Sequence, residues 1–377
     1  MELIKRQLQG TIEQDFFKGK AILLIGARQV GKSTLLNEIV KLRTEPVLRL
    51  NCDEPEIRNT LTNINTAELK QLIGSHRIVL IDEAQRVKNI GITLKLITDG
   101  FPDVQLLISG SSSFQLQDTI NEPLTGRKWE YHLFPLSTAE ILNYSGLMEV
   151  KQNLENRLIY GSYPDVVNHS DNARKILTNL AGSYLYQDLL SLDYVRKPAL
   201  LEKLLVALAL QIGNQVSYNE LAQTLGTDSK TVEKYIDLLE KCYIIFRLTA
   251  FNRNLRTELK KSRKIYFYDN GIRNSVIQNF SPLALRNDTG SLWENFFISE
   301  RIKWNHYNDN YAKSYFWRTT QKQEIDYIEE RDGKFLVFEM KWNPKKANVS
   351  LPQAFMKDYN VAQSAIITPE NYLQWLS

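Results

Sequence analysis

Apolar runs without alternation mark the first third of the chain: AILLI at 21–25, IVLI at 78–81 and VQLLI at 104–108. A strand that is apolar at every position is buried on both faces, as in a parallel sheet covered by helices. Leu35, Leu36 and Ile39 follow the first run at helical spacing, which predicts strand, loop, helix. From about 140 to 211 the pattern is helical, with apolar residues three and four apart in ARKILTNLAGSYLYQDLL and ALLEKLLVALALQIG. Two shorter helices come next. Leu221, Ala222 and Leu225 face inward from one, Gly226 breaks it, and Thr227 or Asp228 caps the second, which buries Val232, Tyr235, Ile236 and Leu239. That spacing is a helix-turn-helix, and CYIIFRL and KIYFYD predict the strands of a wing. The last part reads as an amphipathic helix at 291–304, strands at 315–317, 324–328 and 334–342 around a turn at Gly333, then a helix and the strand AQSAIIT.

Composition changes this picture little. A chain of 377 residues with 43% hydrophobic and 24% charged residues is an ordinary globular protein, long enough for two or three domains. The net charge of +4 excludes a polycation, so nucleic-acid affinity requires local clusters. Cys52 and Cys242 lie far apart in apolar contexts without metal spacing, which suggests a reducing compartment. The first residues hold no signal-peptide core, and AILLIGA and LLVALAL are too short to span a bilayer. The expected location is the cytoplasm, with no membrane partner. No internal repeat or low-complexity linker is present.

The first candidate chemistry follows the first strand. Gly26-Ala27-Arg28-Gln29-Val30-Gly31-Lys32-Ser33, continued by Thr34, fits G-x-x-x-x-G-K-[ST] at every position. Gly26 and Gly31 let the backbone curl so that N–H groups converge on phosphate oxygens; Lys32 supplies charge to the outer phosphates, and the Ser33 hydroxyl can ligate Mg²⁺. A chance glycine loop is disfavoured by the strand before it and the helix after it. In RIVLIDEAQ the second run ends at Asp82-Glu83: Asp82 would hold Mg²⁺ through water, and Glu83 would orient or deprotonate the attacking water. The third run ends in Ser109-Gly110-Ser111-Ser112, where Ser111 is a candidate for contact with the γ-phosphate or lytic water. A plain serine-rich turn is the alternative.

GARQVGKSTLL, VLRLNCDEPEIR, IVLIDEAQR, LLISGSSSF, LTGRKWEYHLFPLS and YGSYPDVV occur in that order. With them nearly the whole chain resembles a bacterial and archaeal family of AAA-type ATP-binding proteins that carry a C-terminal domain of unknown function. The resemblance implies ATP binding and hydrolysis on an AAA-like P-loop core at 1–135, with a helical lid or connector at 136–200. It also implies that Arg127 is an arginine finger reaching a neighbouring subunit; the alternative is a surface arginine capping the preceding helix. Gly161-Ser162-Tyr163-Pro164 resembles the Gly-x-Pro turn that approaches adenine in related P-loop switches, which would place Pro164 against the base. A helix-bounding turn is the alternative.

For the winged helix-turn-helix, assigned to 201–280, Ser229, Lys230, Thr231 and Lys234 lie on the exposed face of the second helix. Residues 251–273 hold seven Lys or Arg (253, 256, 260, 261, 263, 264 and 273) against two acids, Glu258 and Asp269, which suits phosphate contact. Glu233 on the same helix argues against DNA, and such domains in AAA-type proteins also act as lids or protein contacts.

In FLVFEMKW, Glu339 and Lys341 are two apart and so share one face of a strand. Asp326 precedes them and Glu294 lies on the helix before. An Asp followed by Glu-x-Lys resembles the signature of the restriction-endonuclease-like fold, assigned to 281–377. The resemblance implies Mg²⁺ or Mn²⁺ on Asp326 and Glu339, Glu294 completing the acidic shell, and Lys341 positioning water. The alternatives are rim charges, or a silent nuclease fold kept for docking.

The main expectation is therefore an α/β protein that is a Mg²⁺-dependent ATPase and nucleotide-driven switch, DNA-associated and able to form homo-oligomers. The rivals are an ATP-gated metal-dependent DNA nuclease and a nucleotide-switched scaffold for a protein partner.

Overall fold

In this computed structural model the described residues are 3–110, 120, 122–185, 195, 197–251, 262–319, 321, 323–346 and 350–376. Contacts divide the chain into two compact units. One runs to Pro135 and includes Lys241–Tyr243; the other comprises Leu136–Glu240 and the chain from Ile244 onward.

The first unit is a five-stranded sheet of β1 (Ala21–Ile25), β2 (Val47–Asn51), β3 (Ile78–Asp82), β4 (Gln105–Gly110) and β5 (Lys128–His132). The order is β2-β3-β4-β1-β5 and every pairing is parallel. β1 and β4 are buried at every position and β3 at all but its last, as continuous apolar runs require. Helix Lys32–Lys41 buries Leu35, Leu36 and Ile39, the residues its spacing selects. Because the strands are parallel, their C-terminal ends all lie along one edge, where ligands bind in open α/β sheets.

The second unit begins with helices, among them Thr138–Gln152, Leu154–Tyr160, Pro164–Asn168 and Pro198–Leu210. Helices Tyr218–Leu225 and Ser229–Lys241 follow, separated by Gly226 in the left-handed region (φ 65°). Of the two candidate caps the structure uses Asp228, which accepts from the Thr231 N–H at 2.9 Å. A seven-stranded sheet then draws on β6 (Gln215–Val216), β7 (Ile245–Ala250), β8 (Arg263–Phe267), β9 (Lys313–Arg318), β10 (Glu324–Arg331), β11 (Lys334–Met340) and β12 (Val361–Ile367). The order is β12-β11-β10-β9-β7-β8-β6. Thr249 and Ala250 of β7 pair in parallel with Tyr315 and Phe316 of β9, so the strands beside the helix-turn-helix and the C-terminal strands form one surface. One apolar cluster joins Leu158, Phe246, Tyr266, Trp293, Phe316, Phe338 and Tyr372 across this unit.

Helix Thr289–Tyr307 departs from the expected amphipathic pattern. It buries Trp293, Phe296 and Phe297, and also Asn295, Glu300, Arg301 and Lys303. Its buried polar groups are satisfied. Arg301 grips Glu329 at 2.6 and 2.9 Å, Lys303 bonds Glu300 at 2.6 Å, and Asn295 bridges both backbone groups of Phe267. Polar residues read as an exposed face are here a network buried among paired partners. No helix among the described residues is long and apolar enough to cross a membrane.

Candidate functional site

The glycine loop runs from the end of β1 into helix Lys32–Lys41. Gly26 (φ 155°) passes so close to β5's continuation that a Cβ there would stand 2.1 Å from the Leu133 carbonyl oxygen. Gly31 (φ 94°) is the N-cap and has no side chain to cap the first turn, which leaves its N–H groups to a ligand. Ala27 and Val30 are buried, Gln29 and Thr34 exposed, and Arg28 and Ser33 intermediate. Lys32 is buried and donates to the carbonyls of Gly26 (3.0 Å) and Ala27 (2.7 Å), folding across the mouth of the loop. Arg6 braces the outside, donating to the Val30 and Phe134 carbonyls at 2.6 Å each.

Asp82 closes β3. Its carboxylate accepts hydrogen bonds from the Ser109 hydroxyl at the end of β4 and from the Glu83 N–H at 3.1 Å. Glu83 sits in the left-handed region (φ 52°), and its carboxylate accepts from Gln85 at 2.7 Å. Cys52 is buried nearby, and burial followed by the charge of Asp82 pushes its thiol up to about 12, so it is no nucleophile. Ser33 and Asp82 give a hydroxyl and a carboxylate, the hard oxygen donors that Mg²⁺ takes alongside phosphate, and the uncapped helix start suits the phosphates; these residues fit ATP with Mg²⁺.

The remaining expectations fared differently. Ser111 lies outside the described residues. Arg127 forms an exposed ion pair with Asp99 of its own chain at 2.6 Å. Pro164 opens helix Pro164–Asn168 in the second unit. Gly161 before it (φ 71°) packs on Asp269, which accepts from the Ser162 N–H at 2.7 Å. The basic wing changes most. Residues 252–261, with four of its seven cations, lie outside the described residues. Of the other three, Lys264 and Arg273 are 2% exposed and serve internal ion pairs, while Arg263 faces Glu233 at 3.7 Å. Spacing counted these charges but could not tell that their strand and helix were interior.

Glu294, Asp326, Glu339 and Lys341 do converge in the second unit, where their charges act on one another. Among the described residues no group of three or more His, Cys, Asp or Glu could hold a metal ion. Lys264 is among them instead, 3.1 Å from Glu294 and 2.6 Å from Glu324. The Tyr266 hydroxyl also donates to Glu294, at 2.5 Å. Asp326 accepts from the Met340 N–H at 2.9 Å. Lys341, one residue past β11, bonds Glu339 at 2.6 Å, and the other oxygen of Glu339 is buried without a partner. Burial, then the charge of Asp326, raises Glu294 to about 7; burial also raises Asp326 and Glu339. Lys264 is raised although burial would lower it, because Glu294, Asp326 and Glu324 surround it.

Against known proteins, residues 18–142 match the family model described as an AAA domain. Residues 151–283 and 289–376 match two domains of unknown function, DUF8612 and DUF4143. An uncharacterized protein of Mycobacterium tuberculosis is 26% identical, covering 98% of this chain and 81% of its own length. One of Haemophilus influenzae is 25% identical, covering 72% of each. Among solved structures, a Walker-type ATPase of Pyrococcus abyssi superposes with a TM-score of 0.52 at 16% identity, covering 73% of this chain and 96% of its own; the likeness is one of fold.

Three residues in contact with the glycine loop or the Asp82-Glu83 turn carry no motif signal. Arg6 precedes β1 by fifteen positions and belongs to no motif. Gln85 follows Asp82-Glu83 and was read only as part of a turn. Ser109 was in view, but attention went to Ser111, two residues on; the last residues of an inward-facing strand were the available signal.

Proposed function

We propose that the protein binds ATP with Mg²⁺ and hydrolyses it, and that the nucleotide state acts as a switch on a DNA partner. The observation that carries this reading is the shared sheet edge. β1, β3 and β4 are parallel neighbours in the order β3-β4-β1, so the Gly26–Ser33 loop, Asp82-Glu83 and Ser109 all stand at their C-terminal ends. The loop N–H groups and Lys32 would receive the phosphates, exchanging Lys32's present carbonyl contacts for phosphate oxygens. Ser33 and Asp82 would hold the Mg²⁺, which supplies charge neutralisation at the phosphates when bound. Glu83, steadied by Gln85, orients the attacking water and takes up its proton. Arg127 serves as the finger in an assembled state; its exposed pair with Asp99 is weak enough to exchange.

DNA is the partner we assign to the helix-turn-helix, on which Lys230 and Lys234 are exposed. Phosphate release with and without duplex DNA tests the whole reading. Lys32→Ala should abolish ATP binding or turnover, and Glu83→Gln should hold ATP without hydrolysis. Normal turnover in Lys32→Ala would refute the P-loop assignment. Turnover that ignores DNA, together with no salt-dependent DNA binding, would transfer the switch to a protein partner.

A further inference from the structure

We infer that the carboxylate cluster of the second unit is a metal-independent site, in which the buried ammonium of Lys264 does the charge balancing that a nuclease of this signature assigns to a divalent cation. The inference contradicts the endonuclease-like reading and stands apart from the ATPase proposal.

Lys264 is not a surface residue that happens to point inward. It lies on β8, which is paired on both sides: Lys264 registers with Leu248 of β7 and Gln215 of β6. That pairing fixes the face on which its side chain leaves the sheet. Tyr266, two residues on, projects from the same face and reaches the same carboxylate, Glu294. The Lys264 ammonium lies 5.5 Å from the ring centre of Phe316, within a residue that is 2% exposed. Swinging it out to solvent would break the pairs with Glu294 and Glu324; Glu324 would keep Arg318 at 3.5 Å, but Glu294 would lose its cation in a poorly hydrated place.

The donor set is committed in part. One oxygen of Glu294 serves Lys264 and Tyr266, one of Asp326 serves the Met340 N–H, and one of Glu339 serves Lys341, while the second oxygen of Glu339 is buried without a partner. A divalent ion entering here would sit beside two ammonium groups, where weak screening makes the repulsion large. The signature residues are present, yet the strand before them in the chain supplies its own cation. The consequence is that this module holds its polar centre together without metal and does not cleave phosphodiesters by metal-assisted hydrolysis.

The test uses the full chain carrying Asp82→Asn, which silences the ATPase metal site, without nucleotide. Mn²⁺ is titrated and followed by electron paramagnetic resonance. The expected result is no saturable Mn²⁺ site. Lys264→Met in the same background should gain one Mn²⁺ per chain and lose it again when Glu339→Gln is added. Lys264→Gln, which keeps a hydrogen-bonding side chain without the charge, serves if Lys264→Met does not fold. Saturable Mn²⁺ binding with Lys264 intact, abolished by Glu339→Gln, would overturn the inference. So would metal-dependent nicking of supercoiled DNA by the wild-type chain that Glu339→Gln removes. Folded Lys264 variants that gain no Mn²⁺ would also overturn it, since Lys264 would then not be what replaces the cation.

Discussion

Ser109 donates its hydroxyl hydrogen bond to the carboxylate of Asp82, across the neighbouring parallel strands β4 and β3. Ser109 is fully buried, and the Glu83 N–H stands 3.3 Å from its oxygen. One hydroxyl thus orients the proposed metal carboxylate and meets the backbone of the proposed catalytic base. A positioning group of this kind acts on the reaction more than on binding.

Ser109→Ala is accordingly expected to lower kcat by about 10- to 100-fold, the equivalent of one hydrogen bond to a charged group. Binding of a fluorescent ATP analogue without Mg²⁺ should stay unchanged, and Ser109→Thr should recover part of the rate. Full activity in the alanine variant would remove Ser109 from the mechanism.

Arg6 ties the Val30 carbonyl of the glycine loop to the Phe134 carbonyl beyond β5, 128 residues away from it. It meets the proposed phosphate loop at the Val30 carbonyl and beside Gly31, so it acts by holding the loop. Arg6→Gln should weaken ATP binding by about 10-fold or more through loss of two charged hydrogen bonds, with a smaller change in kcat. Separate measurement of kcat and the ATP dissociation constant decides this; equal loss in both would point to general unfolding instead.

Gly161 and Gly290 should respond in opposite ways to alanine. At Gly161 the backbone is left-handed, and a Cβ would stand 2.0 Å from Asp269 Oδ1. Gly161→Ala is expected to cost about 2 kcal/mol or more. Gly290 lies inside a helix with nothing within 4 Å, and its alanine variant should be neutral or stabilising by up to about 1 kcal/mol. Denaturant unfolding of both checks the pair.

Acid sensitivity should trace in part to Asp288. Burial would raise its carboxyl, but hydrogen bonds from Arg286 and Arg273 outweigh this and bring it from 3.8 to about 2. The folded state therefore binds the proton less readily than the unfolded chain. This contribution to stability is present in full above the unfolded value near 3.8, and is lost as pH falls toward 2. Urea midpoints for wild type and Asp288→Asn should keep a constant gap from pH 7 to 5 and converge below about pH 4. A gap that does not narrow would assign the low-pH loss to other carboxylates.

The legible part of the protein was the part whose chemistry is consecutive. Gly26 to Ser33 carry their own geometry, and Asp82-Glu83 end a run so apolar that its place in the sheet followed. The helix pair Tyr218–Leu225 and Ser229–Lys241 was legible from Gly226 and the spacing of Val232, Tyr235 and Ile236. What misled was charge. Lys264 and Arg273 read as part of a basic wing suited to phosphate contact, yet both are buried. A charged residue reads as exposed unless its partner is known, and those partners are distant in the chain: Glu294 for Lys264, Asp288 for Arg273.

The sequence by itself determined the nucleotide loop, the acidic strand end and the helices and strands around them, because dihedral preferences and burial periodicity act over a few residues. Only the tertiary structure decided that Ser109 holds Asp82, that Arg6 braces the loop, and that Lys264 stands among carboxylates expected to bind metal. Periodicity states that a side chain is buried. Which group it meets there depends on long-range packing, and in a poorly screened interior that neighbour sets its charge and its role.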